Sequence, residues 1–232
     1  MVDSSEKSDA VEAQLLEAIT PHVPFDGWSE TSFRAAVTDA GIDMSAARAA
    51  CPRGAVNLAL AFHRQGDAEM ERRLVAKEFG EERFRDKVIF AIRTRLDLIE
   101  DRELVRRGAT LFSLPPYAAD GATAIWGTAD LILRSLGDQS DDLNWYTKRA
   151  TLAGVYSATV LYWLGDDSPD QQRTWDFLDR RIEGVMQIEK VKSRLRQNRL
   201  TRAMMAGPDW LASKVRPPSP SSGLPGTSTP PA

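Results

Sequence analysis

Apolar residues recur every three to four positions along nearly the whole chain, and no run of β-branched residues alternates with polar ones as a half-buried strand requires. That periodicity predicts an all-α fold. Val11, Leu15, Leu16 and Ile19 form one stripe, which Pro21 and Pro24 terminate. Ser29 or Thr31 caps a second helix carrying Phe33, Ala36 and Val37, which stops at Gly41, and a short piece from Met44 to Ala50 ends at Pro52. Longer helices follow, one with Val56, Leu60 and Phe62, another with Phe84, Val88, Ile92, Leu96 and Ile99. The pair Pro115-Pro116 breaks the pattern, which resumes over 119–136, 144–164 and 170–197. From Gly154 to Leu164 every face is apolar, which predicts a helix buried on all sides.

With 232 residues, 42% of them apolar, the chain can build one large domain or two small ones. Its single cysteine, Cys51, forms no internal disulfide, which fits a reducing compartment. The longest uncharged run, residues 150–165, has 16 residues, short of the roughly 20 a spanning helix needs. Met1 to Asp9 is acidic and polar, without the apolar core of a signal peptide, so a cytoplasmic location is expected. The predicted organisation is a disordered 1–9, a helix-turn-helix-like region 10–55, a helical body 56–190, a basic amphipathic helix 191–212 and a disordered tail 213–232. The part of that tail from Pro217 onward holds six of the chain's 13 prolines.

The inventory of reactive groups is thin. Neither His22 nor His63 sits in a zinc or di-iron helical pair, and Walker, dinucleotide and nucleophile-elbow motifs are absent. Asp138, Asp141 and Asp142, like Asp166, Asp167 and Asp170, fall in inter-helix turns, where Asp commonly caps helices. No catalytic residue, metal ligand or cofactor is predicted, and the expected reading is a non-enzyme.

The region from Leu15 through Gly27-Trp28-Ser29 and Phe33-Arg34-Ala35-Ala36 to Ala40-Gly41-Ile42-Asp43-Met44-Ser45 resembles the N-terminus of tetracycline-repressor-like (TetR) regulators. Recognition needs donors for phosphates and base edges. Here the equivalent helix offers only Arg48 and Arg53, and residues 1–60 carry nine acids against four basic groups. The expectation is that fold without nucleic-acid binding. A ligand-responsive DNA-binding repressor is the alternative.

The segment Gly137-Asp138-Gln139-Ser140-Asp141-Asp142-Leu143-Asn144-Trp145-Tyr146-Thr147-Lys148-Arg149-Ala150-Thr151-Leu152-Ala153 looks like the signature of the ubiquinone-biosynthesis accessory family, the ninth coenzyme Q protein of mitochondria and its bacterial relatives. Leu111–Pro115, Ser168-Pro169-Asp170 and Thr174-Trp175-Asp176-Phe177-Leu178-Asp179-Arg180-Arg181 match it as well. The resemblance implies a TetR-like all-α helical bundle, usually a homodimer, that binds an isoprenoid or phospholipid rather than DNA. It also implies partnership with the membrane-associated di-iron hydroxylase of late ubiquinone synthesis, to which the protein presents a quinone precursor. The terminal helix matches the family in character more than in residues.

A carrier of such a lipid needs an apolar cavity. The candidate lining residues are Phe90, Leu111, Leu114, Ile125, Trp126, Leu131, Leu152 and Tyr156, with the Pro115-Pro116 break holding two helices apart. Trp145, Tyr146 and Arg149 share one helical turn and form a candidate partner-docking or lipid-entrance patch, with Asp142 and Asn144 at its rim. Residues 190–232 hold eight basic groups against the single acid Asp209. Within them Arg199, Arg202, Met204, Met205, Trp210 and Leu211 suit reversible contact with an anionic membrane at the inner face of the cytoplasmic membrane.

Overall fold

A computed structural model describes residues 2–140 and 143–197 of the chain. Among them run the helices α1 (Val2–Ile19), α2 (Val23–Asp26), α3 (Glu30–Asp39), α4 (Met44–Ala50) and α5 (Ala55–Ala76). They are followed by α6 (Phe84–Asp97), α7 (Arg102–Ser113), α8 (Ala118–Ser135), α9 (Leu143–Leu164) and α10 (Gln172–Gln197). No strand occurs among the described residues. The fold is all-α, as the periodicity requires.

Local chemistry sets the helix ends. Ser29 and Ser32 form a reciprocal capping box at the start of α3, and Asp43 and Asp101 accept backbone N–H groups to cap α4 and α7. After α4 the chain turns through Gly54 at φ +57°, where a Cβ would also lie 2.7 Å from the Arg48 side chain. The Pro115–Tyr117 segment forms one 3₁₀ turn between α7 and α8.

Two hydrophobic clusters form the core. Leu15, Ile19, Phe33, Ala47 and Leu58 centre the first, and Ile92, Leu96, Ile132 and Leu178 the second. Helix α5 serves both, giving Leu58 to the first and Met70 and Leu74 to the second. Helix α7 does the same with Leu104 and Val105. The expected division at residue 55 is therefore a change of role along the chain, not a break in packing.

Residues 2–9 run into α1, where no Gly or Pro precedes Pro21. One further expectation changes. Helix α9 is not buried all round, because Leu161 is 65% exposed and Tyr162 38%. Its apolar faces have separate causes. Val155 and Trp163 enter the core, Tyr156 and Val160 line a cavity, and Leu161 and Tyr162 stand at the surface. No described helix is long and apolar enough to cross a membrane. The basic residues from Arg199 to Leu211 singled out for membrane contact, and Asp142, lie outside the described residues.

Candidate functional site

Small residues on facing helices create the main cavity. Ala59 of α5, Gly108 and Ala109 of α7, Gly121, Ala122 and Ala124 of α8, and Ala150, Ala153 and Gly154 of α9 line a space of about 600 Å³. Packing would fill it if these positions carried longer side chains. Phe62, Phe112, Ile125, Trp126 and Val160 supply the larger apolar walls. Ala150, Gly154 and Leu161 are exposed and mark the mouth, whereas Leu96 and Tyr156 are almost fully buried and mark the floor. The helices do not stand apart at the proline break. At Gly121 they approach so closely that a Cβ would meet that of Phe112 at 2.7 Å.

The floor is polar. Arg95, only 3% exposed, donates from Nε to Asp67 Oδ1 at 2.8 Å and from Nη2 to the His63 carbonyl at 3.1 Å. Its guanidinium lies flat on α5 because position 66 is glycine; a Cβ there would sit 2.5 Å from Cζ. Thr128 Oγ1 donates to Asp67 Oδ2 at 2.8 Å and lies 2.8 Å from His63 Nε2. Burial works against the charge on Asp67, but His63 and Arg95 outweigh it and hold the carboxyl below its usual range. Burial likewise pushes the Tyr156 hydroxyl up, which keeps it a neutral donor. His63, Arg95 and Tyr156 all line the cavity.

A second polar cluster locks the start of α9. Arg149, a member of the candidate docking or lipid-entrance patch, is 1% exposed. Its Nε donates to Asp130 at 2.5 Å, and Nη1 donates to Asp138 at 3.2 Å and to the Trp145 carbonyl at 3.1 Å. Its guanidinium also lies 4.0 Å from the centroid of the Trp145 ring. Asp138 is consequently no helix cap; it collects Lys148, Ser140 and Arg149. Burial opposes its charge, and those partners together hold its pKa below the carboxylate range. Asp166 keeps a role close to capping, accepting Ser168 N, Thr174 N and Thr174 Oγ1.

The candidate lipid contacts divide. Ile125, Trp126 and Tyr156 line the main cavity. Leu152 faces a second cavity of about 620 Å³ bounded by Val88, Leu133, Ile182 and the Arg85 and Lys148 side chains. Phe90 packs edge-on against Phe79, Leu131 joins the second core cluster, Leu111 joins the first, and Leu114 is 47% exposed. Long apolar side chains seal the core, so the space opens where side chains are short. Trp145, Tyr146 and Asn144 are half-buried, and the Trp145 ring lies 6.0 Å from that of Trp126 and 4.7 Å from that of Tyr146. The aromatic patch thus adjoins the cavity wall through Trp126, while Arg149 supports it from beneath.

In the helix-turn-helix-like region both cations of the segment equivalent to a recognition helix form ion pairs with acids of this chain at the surface. Arg48 pairs with Glu30 and lies over the Phe33 ring, and Arg53 makes a bidentate pair with Asp120 at 2.9 and 2.6 Å. His22 bonds Asp39 at 2.7 Å, a structural role. No cluster of three His, Cys, Asp or Glu able to hold a metal occurs among the described residues.

Comparison with known proteins places this architecture. A family model described as COQ9 matches residues 118–189. The rat mitochondrial ubiquinone biosynthesis protein COQ9 is 33% identical over 191 residues, covering 79% of this chain and 61% of that protein. The human protein of the same name is 31% identical over 191 residues, with 79% and 60% covered, and that of Drosophila melanogaster 29% over 192 residues, with 81% and 59% covered. The chain spans about 60% of the length of these relatives. Among solved structures, a TetR transcriptional regulator from Nitrosomonas europaea superposes with a TM-score of 0.60 at 15% identity, covering 74% of this chain and 95% of that one. The likeness is one of fold.

Proposed function

We propose that this chain is a member of the COQ9 family and serves ubiquinone biosynthesis as a non-enzymatic lipid carrier, presenting a hydrophobic quinone precursor to a membrane-associated di-iron hydroxylase. The observation that carries this reading is the apolar cavity of about 600 Å³ whose wall residue Trp126 touches the Trp145–Tyr146 patch. Ligand cavities of about 300–1,000 Å³ with a few placed polar groups are typical of small-molecule sites. The patch is the proposed docking surface for the hydroxylase, because half-buried aromatics braced by an arginine resemble the anchors of protein interfaces. Exposed Tyr162, stacked on Phe177 at 4.5 Å, forms the proposed contact for a second copy. Membrane contact is assigned to Arg199, Arg202, Met204, Met205, Trp210 and Leu211 on their sequence pattern.

The test is uptake and transfer. Delipidated protein should take up one equivalent of a prenylated benzoquinone and pull down the hydroxylase. The double variant Trp145→Ala/Tyr146→Ala should keep its helicity and its quinone uptake but lose the pull-down. Undiminished pull-down contradicts the docking assignment, and no uptake contradicts the carrier. Truncation at Gln197 should weaken flotation with anionic liposomes, and full flotation of the truncated chain would remove the membrane role of the terminal segment. A DNA-binding repressor is the competing reading, favoured by the fold likeness. The pairing of Arg48 and Arg53 with acids of this chain counts against it.

A further inference from the structure

The main cavity is not apolar throughout, and the position of its polar groups is asymmetric. At the mouth stand Ala150, Gly154 and Leu161; at the floor stand Tyr156 and Arg95, each 3% exposed, with His63 beside them. Tyr156 makes no hydrogen bond with any described residue, although it lies close enough to Arg95 for each to influence the other's charge. Its hydroxyl faces the cavity it lines, and a hydrocarbon tail driven against it would strip it of water and leave it unmatched. A ligand oxygen would match it.

Charge narrows the class of that oxygen. Arg95 is already neutralised by Asp67 at 2.8 Å, and Asp67 also takes the Thr128 hydroxyl, so the floor offers donors without surplus positive charge. A carboxylate would be desolvated there and would face Asp67, whereas a carbonyl or phenol oxygen carries neither penalty. We infer that Tyr156, with Arg95 and His63, forms a head-group subsite for a neutral ring oxygen, so that an amphiphile enters head first and trails its apolar tail through the mouth at Gly154 and Leu161. This rests on the lipid-carrier reading and adds to it a specificity and an orientation. Transfer to a partner then begins with withdrawal of the ring from the floor, past Trp126.

The test uses the full chain and three probes of similar length: a benzoquinone with a three-isoprene tail, the corresponding prenyl hydrocarbon, and palmitate. Tyr156→Phe removes only the hydroxyl. It should weaken quinone binding about five- to tenfold, the scale of one hydrogen bond, and leave hydrocarbon binding unchanged. The ligand-free variant should melt no lower than the parent, because the hydroxyl has no protein partner to lose. Equal affinity of both proteins for the quinone overturns the subsite while the carrier reading stands, as does a melting point that falls with the hydroxyl. Preference for palmitate overturns the neutral-oxygen assignment. Binding of none of the three probes removes the carrier reading and the subsite with it.

Discussion

In the three short helices at the N-terminal side, the cations that would face a nucleic acid are engaged by acids of the same chain, Arg48 by Glu30 and Arg53 by Asp120. In the body behind them, two cations are buried instead. Arg95 sits at the floor of a cavity and Arg149 braces the helix turn that carries Trp145. Both regions share helices α5 and α7 and belong to one fold, which a TetR regulator also adopts. A scaffold sets where helices lie; the placement of charge and of small side chains decides which surface can bind and what. Here the first region keeps the helix positions with its donors occupied, and the second opens a cavity with donors facing inward.

That contrast can be broken most severely at Arg149. Arg149→Met should cost about 3 kcal/mol in chemical denaturation, because it removes the buried partner shared by Asp130 and Asp138 and leaves Asp138 to Lys148 and Ser140 alone. A cost below about 1 kcal/mol would show that the cluster is solvated and the brace is absent. Next comes Leu15→Ala in the first core cluster, at 0% exposure, expected to cost about 2–5 kcal/mol while the folded fraction still takes up quinone. Loss of uptake in protein that remains folded would make the N-terminal helices part of the site. Gly154→Leu works the other way. Its Cβ meets nothing within 4 Å, so helix propensity should raise stability by up to about 1 kcal/mol while the larger side chain obstructs the mouth and suppresses uptake.

The smallest effect is in acid. Asp67, Asp138 and Asp166 all have pKa values held below the ordinary carboxylate value. Their stabilising contributions are complete above an unfolded pKa of about 3.9 and disappear as pH falls from there toward the lower native values. Stability should therefore be flat from pH 7 to about 5 and fall steeply below about 4, as followed by circular dichroism. Substituting Asn for Asp138 should shrink that fall; an unchanged acid limb would mean Asp138 is not coupled to folding.

What could be read from sequence followed spacing along one helix. Trp145 and Arg149, four apart, do stack, and Ser29 does cap α3. The depth of Arg149 was not legible, because its acids come from positions 19 and 11 residues earlier, on α8 and the loop after it. The floor hid for the same reason. His63 and Asp67 have visible helical spacing, but Arg95 lies 28 residues from Asp67, and Thr128 lies 61 from it. Phe90, Leu111, Leu114 and Leu131 are large apolar side chains that do not line the cavity, whose space is made by glycines and alanines. The readable signal was the recurrence of small residues at Gly108-Ala109, Gly121-Ala122 and Ala153-Gly154.

A lipid in the cavity is what separates a carrier from a plain helical scaffold. Organic-solvent extraction of the natively purified full chain, never exposed to detergent, followed by mass spectrometry, tests it most directly. An isoprenoid quinone or its precursor is expected at close to one equivalent per chain. An extract without lipid from folded protein would contradict the carrier.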